Sequence, residues 1–325
     1  MKIVITDHRF ANVEQERSAV EAAGGDLVVD QATDEQQLID LCRDADGVLT
    51  VRAAITNRVI AAMERCHIIV RYGIGVDTID IPTATRRGIM VANVPDYCIE
   101  EVSGHALTLL MMLSRQVIPA ITLAKEERWD IFKMPAVHRL RGQVCGLFGF
   151  GQIGSQLARK LLPLGLRVLT HDPYLDESRA RGVGVELASF DALLGQSDFI
   201  SLHAPLNDET RHVFGEVAFA KMKSTASIIN TARGGLIDEA ALLAALDTGV
   251  IAGAALDVLE SETAVSAVRS VLVNHPRTIV TAHTAWLSEE ARSALQAKAV
   301  AQVLAGLRGE KPYGLVNRHV VRRFQ

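Results

Sequence analysis

Val144-Cys145-Gly146-Leu147-Phe148-Gly149-Phe150-Gly151-Gln152-Ile153-Gly154-Ser155-Gln156-Leu157-Ala158-Arg159 decides how the chain folds. A short apolar run of strand character enters a Gly-x-Gly-x-x-Gly turn, and the turn opens directly into a helical pattern. Glycines cluster in many loops, so the spacing alone says little. The context gives it meaning: a strand stands before it, a helix after it, and Asp172 ends the next strand 18 residues beyond Gly154. Gly149 permits the tight turn, and Gly151 lets the backbone approach a pyrophosphate. Gly154 lets helix and strand pack closely while the helix N-terminus faces the phosphates. An acidic residue at position 172 accepts hydrogen bonds from adenosine ribose hydroxyls and repels a 2′-phosphate, so the expected cofactor is NAD rather than NADP. Its plainer reading is a capping residue before Pro173, and the neighbouring His171 leaves slight room for use of both cofactors.

Outward from that turn, short β-branched runs alternate with helical stretches along the whole chain, which means parallel sheets. Residues 144–148, 167–170, 199–202, 227–229, 253–256 and 278–281 supply six strands of one doubly wound, dinucleotide-binding sheet. Residues 2–6, 47–51, 68–70 and 90–92 precede the glycine turn and belong to a separate, smaller sheet. Residues 100–115 read as a long helix with Leu107, Leu110, Met111 and Ser114 on one stripe, and the Met111-Met112 pair reads as core. Residues 288–308 read as another helix, with Ala291, Leu295, Ala299, Val303 and Leu307 aligned, able to run back to the first sheet. The expectation is an α/β protein with two Rossmann-like domains. A doubly wound parallel-sheet NAD-binding domain over residues 100–287 is inserted into a smaller flavodoxin-like substrate-binding domain made of residues 1–99 and 288–325.

The 325 residues suffice for two domains with cores of their own. Apolar residues make up 49%, charged residues 22%, and the formal net charge is −4, which describes an ordinary soluble protein with no basic patch to attract nucleic acid. Apolar runs such as residues 106–113 fall far short of a membrane span, and residues 1–5 open into a strand rather than a signal peptide, so a cytoplasmic protein with no membrane partner is expected. Cys42, Cys66, Cys98 and Cys145 are widely separated, have no spacing that wraps a metal, and read as reduced structural thiols.

Three downstream segments place polar residues and glycine at strand ends, where open sheets carry their chemistry. They are Asn230-Thr231-Ala232-Arg233-Gly234-Gly235, the run from Gly253 through Asp257 and Glu260 to Glu262, and Thr281-Ala282-His283-Thr284-Ala285-Trp286. With them the sequence resembles the D-isomer-specific 2-hydroxyacid dehydrogenase family over nearly its whole length. Arg71-Tyr72-Gly73-Ile74-Gly75-Val76-Asp77, Asp172-Pro173-Tyr174, Glu260-Ser261-Glu262 and Ala285-Trp286 with Ser288-Glu289 are most similar to its C-terminal-binding-protein branch. The resemblance implies that Arg233, Glu262 and His283 are catalytic. It implies that Gln152, Ile153, Thr231, Ala232 and Asp257 contact NAD, with His203 lining the cofactor cleft. It further implies that Arg71 and the amides near Ile74 and Gly75 contact the substrate acid, and that the chain forms a homodimer through its NAD-binding domain.

The residue types suit that chemistry on their own account. Reducing a 2-oxo acid puts hydride on the carbonyl carbon and negative charge on its oxygen, so the site needs a proton donor and a fixed cation. An imidazole titrates near neutral pH, and Glu262 can orient His283 and hold its proton. The guanidinium of Arg233 stays charged and can meet carboxylate and carbonyl oxygens together. Taken singly, His283 reads equally well as a core histidine, Arg233 as a cap or surface cation, and Glu262 as a solvated acid; three of them at successive strand ends behind a dinucleotide turn read as a site. The Arg71–Gly75 stretch offers glycine-permitted close approach, as a carboxylate nest does, or a turn with a surface arginine. Trp286 stands where the family carries a small residue and would form an aromatic wall favouring apolar side chains on the substrate, the alternative being a core or interface tryptophan. Thr263 and Ala282 stand where the family has prolines beside the catalytic residues, and are expected to loosen the segments that present Glu262 and His283.

Two other readings compete. An NAD-gated binding protein of corepressor type keeps the same three residues, although the chain shows no long disordered tail. Among enzymes, Glu262 argues against a formate dehydrogenase, which is expected to pair its histidine with glutamine. A phosphoglycerate dehydrogenase would need more cations than Arg71 and Arg233, and no regulatory domain follows residue 325.

Overall fold

Two sets of β-branched runs form two parallel sheets, each sandwiched between helices, in the computed structural model, which describes residues 1–32, 34–262 and 266–321. One unit comprises Met1–Tyr97 with Ser288–Gln325, the other Cys98–Leu287.

In the first unit the strands are β1 (Lys2–Ile5), β2 (Asp26–Val29), β3 (Gly47–Thr50), β4 (Ile68–Arg71) and β5 (Met90–Ala92), all parallel, in the order β2-β1-β3-β4-β5. This is the flavodoxin-like order, with its reversal between β1 and β3. The helix Glu289–Leu307, whose start is capped by Ser288 Oγ accepting from Ala291 N at 2.8 Å, covers one face by packing on β3, β4 and the helix Glu14–Ala22. That contact is close because it is made through glycine. A Cβ at Gly47 would sit 2.6 Å from Val303 Cγ2, and one at Gly306 2.5 Å from Ile68 Cδ1. Leu38, Val48, Ile60, Ile69 and Val91 fill the opposite face. Truncating Leu38, Ile60 or Ile69 to alanine costs about 2–5 kcal/mol.

In the second unit the strands are β6 (Val144–Phe148), β7 (Arg167–His171), β8 (Glu186–Leu187), β9 (Phe199–Leu202), β10 (Ser227–Asn230), β11 (Gly253–Leu256) and β12 (Thr278–Val280). Their order is β12-β11-β10-β9-β6-β7-β8, so the sheet reverses direction between β6 and β9, beside the glycine turn. Separate apolar clusters cover its two faces, one built around Phe214, Phe219 and Leu242, the other around Leu110, Leu157 and Leu161.

Five and seven strands replace the expected four and six. β2 was hidden because Asp26 opens it and it lies half-exposed at an edge; β8 is two exposed residues, too short for any periodicity. The long helix is Ile99–Ser114, and it buries Val102, Ala106, Leu109, Leu110 and Leu113 against β10, β11 and the helix Gln152–Leu161. Of the expected stripe Leu110 and Ser114 are buried, whereas Leu107 and Met111, like Met112, are only partly so. Residues 106–113 are almost continuously apolar, so spacing there does not choose between adjacent stripes. All four cysteines are buried free thiols, and burial pushes those of Cys42, Cys66 and Cys145 up to about 12.

Candidate active site

The glycine turn is shaped by what surrounds it. Gly149 has φ +95°, its N donates to His171 O at 2.9 Å, and a Cβ there would lie 2.8 Å from Ala204 N. A Cβ at Gly154 would lie 2.5 Å from Gly149 O, whereas the position of a Cβ at Gly151 is open space. The first and third glycines are therefore required by packing, and the second leaves room for a ligand. Gly151 is also the N-cap of the helix Gln152–Leu161, so no side chain covers the donors of its first turn. Gln152 and Ile153 are the first residues of that turn. Amides and helix dipole together favour an anion there.

Asp172 ends β7 and does more than one thing. Its Oδ2 accepts from Phe150 N at 2.9 Å, inside the glycine turn, and its Oδ1 accepts from Tyr174 N at 3.0 Å. The capping role is therefore present, and it does not exclude a cofactor contact, because a carboxylate has further lone pairs on both oxygens. Thr231, just past β10, has its Oγ1 buried with no hydrogen-bond partner among the described residues, while Ala232 N donates to Asn230 Oδ1 at 3.0 Å. His203, just past β9, shares a 2.9 Å hydrogen bond between its Nε2 and Ser201 Oγ, and burial pushes its imidazole down to about 4, so the ring is neutral near pH 7. The open middle glycine, the uncovered helix start and the orphaned Thr231 hydroxyl fit an extended dinucleotide whose phosphates and hydroxyls supply the missing partners.

His283, Glu262 and Arg233 also lie past strand ends of this unit. His283 Nδ1 and Glu262 Oε1 are 2.7 Å apart, with about a third of each side chain exposed. Arg233 precedes the short 3-10 turn Gly234–Leu236, and one of its guanidinium nitrogens donates to Ala232 O at 2.6 Å. Buried Asn230 holds that turn by donating from Nδ2 to Arg233 O at 2.8 Å. Gly234 rests directly on the backbone of Leu259 and Glu260, where a Cβ has no room, which sets the Arg233 turn against the segment that carries Glu262.

His283 itself has φ +56°. Three successive amides are caught by one residue: His283 N donates to Asp257 O at 2.8 Å, Thr284 N to Asp257 Oδ1 at 2.9 Å, and Ala285 N to Asp257 Oδ2 at 2.9 Å. Asp257, read from sequence as a cofactor contact, therefore also builds the turn that presents the histidine. Ala282 is exposed and the turn after it is held in this way; Thr263 lies outside the described residues. Trp286 follows the turn, partly buried.

In the other unit Arg71 ends β4 and folds its guanidinium over Gly73, which has φ +128°. Val94 N donates to Gly73 O at 2.9 Å and Asn93 Nδ2 to Ile74 O at 2.5 Å, so the turn that carries Ile74 and Gly75 is pinned through its carbonyls. Sequence reading missed His105 and the part played by Thr281. A lone histidine inside the apolar run of residues 102–113 was the available signal.

A family model described as the NAD binding domain of D-isomer specific 2-hydroxyacid dehydrogenases matches residues 107–285. The chain is 35% identical over 302 residues to a glyoxylate reductase of Korarchaeum cryptofilum, covering 91% of this chain and 90% of that protein. It is 38% identical over 261 residues to D-3-phosphoglycerate dehydrogenase 2 of Arabidopsis thaliana, which is 80% of this chain but only 41% of the plant protein. The chain therefore spans less than half the length of that relative. Among solved structures, apo D-lactate dehydrogenase of Escherichia coli superposes with a TM-score of 0.80 at 27% identity, over 97% of this chain and 99% of the other.

Proposed function

Because this chain belongs to the D-isomer specific 2-hydroxyacid dehydrogenase family, with NAD as its cofactor, we propose that it interconverts a small 2-oxo acid and the D-2-hydroxy acid. The observation that carries this reading is the 2.7 Å contact between His283 Nδ1 and Glu262 Oε1. A carboxylate only accepts, so the proton of that bond sits on Nδ1, and Nε2 is left as the atom that exchanges a proton with substrate. NADH, when bound, supplies the hydride that becomes the new C–H bond. His283 then delivers its Nε2 proton to the carbonyl oxygen, Glu262 stabilises the imidazolium beforehand, and Arg233 balances charge on the oxygen and the acid group. In the oxidative direction neutral Nε2 takes the hydroxyl proton. Arg71, with the amides near Ile74 and Gly75, is assigned to the substrate carboxylate, and Trp286 to an apolar wall beside the substrate side chain.

Following NADH oxidation at 340 nm against a panel of 2-oxo acids tests the assignment. Turnover with one or more of them supports it; a panel with no turnover, together with capture of one dominant protein partner, favours an NAD-gated binding protein instead.

The partner of the chain is assigned to a second copy. Trp129, Ile131 and Phe132 are 84%, 74% and 93% exposed on one stretch of the cofactor-binding unit, an apolar stretch suited to a protein partner. Next to that stretch a cavity of about 1010 Å³, lined by Met112, Pro119, Pro135, Phe199, Ile251 and Pro276, opens at the end of the sheet opposite the glycine turn. Light scattering on Trp129→Ser with Phe132→Ser should give a monomer where the wild type gives a dimer.

A further inference from the structure

His283 is held in a left-handed backbone conformation, φ +56°, which costs a residue with a Cβ about 1–2 kcal/mol and persists only where its surroundings dictate it. The main-chain oxygen and carboxylate of Asp257, itself only 2% exposed, dictate it by catching the amides of His283, Thr284 and Ala285. What holds the carboxylate is a second layer. Thr281 Oγ1 donates to Asp257 Oδ1 at 2.6 Å, and His105 Nε2 lies 3.1 Å from the same Thr281 Oγ1 and 3.7 Å from Asp257 Oδ1. The threonine hydroxyl has a single proton and gives it to the carboxylate, which can only accept. Toward His105 it can therefore only accept, and His105 Nε2 carries a hydrogen. The chain runs in one direction: His105 Nε2–H to Thr281 Oγ1–H to Asp257 Oδ1, and from there to the amides that shape the His283 turn.

We propose that His105 and Thr281 are positioning residues for proton transfer at His283, acting through Asp257 to tie the turn to the core helix Ile99–Ser114. Neither touches substrate in this scheme. Their work is to keep the imidazole where Glu262 can hold Nδ1, since a displacement of about 1 Å at a reacting group can lower a rate about 100-fold. The inference rests on the assignment of His283 as the acid and base.

Thr281→Val and His105→Leu remove the hydroxyl and the donor, while Thr281→Ser and His105→Gln keep them. Three quantities are compared with wild type: kcat for the best 2-oxo acid, the NADH Kd, and amide hydrogen exchange at Thr284 and Ala285. Thr281→Val and His105→Leu should lose about 10- to 100-fold in kcat with the NADH Kd within about twofold. Exchange at the two amides should quicken about tenfold or more, and Ser and Gln should restore most of both losses. Unchanged exchange and kcat in Thr281→Val and His105→Leu, with only the melting temperature lowered, would overturn the proposal by reducing the network to packing. Faster exchange in these variants beside a wild type that turns over no 2-oxo acid would support the network and refute the assignment of His283.

Discussion

Replacing Asp172 with alanine separates the two tasks of its carboxylate. Within the chain it accepts from Phe150 N at 2.9 Å and from Tyr174 N at 3.0 Å; toward a bound dinucleotide its remaining lone pairs would accept from the ribose hydroxyls. A hydrogen bond to a charged group contributes about 1.5–3 kcal/mol, and about 1.4 kcal/mol is tenfold in Kd. Losing one such bond raises the NADH Kd about 10- to 100-fold. NADPH has a 2′-phosphate that the carboxylate repels, so its Kd should hold or fall, and a wild-type preference for NADH of about tenfold or more should close to within about threefold. The two amides lose their acceptors as well. The Tyr174 amide is exposed but that of Phe150 is part-buried, so the cost to stability is about 1–3 kcal/mol, a fall of several degrees in Tm for a unit of this size. Fluorescence titration of both cofactors against wild type and Asp172→Ala, with thermal melts alongside, measures all three quantities. Equal wild-type affinities, or a ratio that Asp172→Ala leaves untouched, would remove Asp172 from the ribose site.

Gly154→Ala drives a Cβ to 2.5 Å from Gly149 O, a backbone atom that cannot swing away, so Tm should fall by an amount equivalent to about 1–3 kcal/mol with NADH binding weakened alongside; denaturant melts and cofactor titration measure it. The folded value of about 4 for His203 lies below its ordinary 6.5, so the unfolded chain takes the proton first as pH falls. Its contribution is whole above about pH 6.5, drains away down to about pH 4, and amounts to at most about 3 kcal/mol, less for the part of the ring that solvent reaches. His203→Gln should flatten that limb of a stability-against-pH curve. Bulky apolar 2-oxo acids should show higher kcat/KM than glyoxylate, and Trp286→Gly should shrink the difference by about 10-fold; an unchanged ranking would remove the tryptophan from the pocket.

The glycine turn was legible because its constraints are local. Gly149 at φ +95° and Gly154 against Gly149 O need glycine whatever the rest of the chain does, and β6 and its helix adjoin them in sequence. Glu262 and His283 were legible as residue types at strand ends and expected to pair on chemical grounds; the fold supplies the 2.7 Å contact. β8 escaped notice because its two residues become a strand only by pairing with β7. The network behind His283 was hidden for a related reason: a lone histidine in an apolar run marks His105, but Thr281 lies 176 residues away and nothing in the sequence pairs the two. Asp257 shows the same limit, since a strand-end acid reads as a cofactor contact and its further task, catching the amides of residues 283–285, appears only in the fold.

Proton transfer by His283 during hydride transfer to a 2-oxo acid is the central claim, and one experiment reaches it: kcat for NADH-dependent reduction, with chiral analysis of the product and NADH Kd, in wild type, His283→Ala and Glu262→Gln. The wild type should yield a D-2-hydroxy acid, His283→Ala should lose about 100- to 10,000-fold, Glu262→Gln an intermediate amount, and the NADH Kd should stay within a few-fold throughout. An L product, or His283→Ala turning over at the wild-type rate, would contradict it.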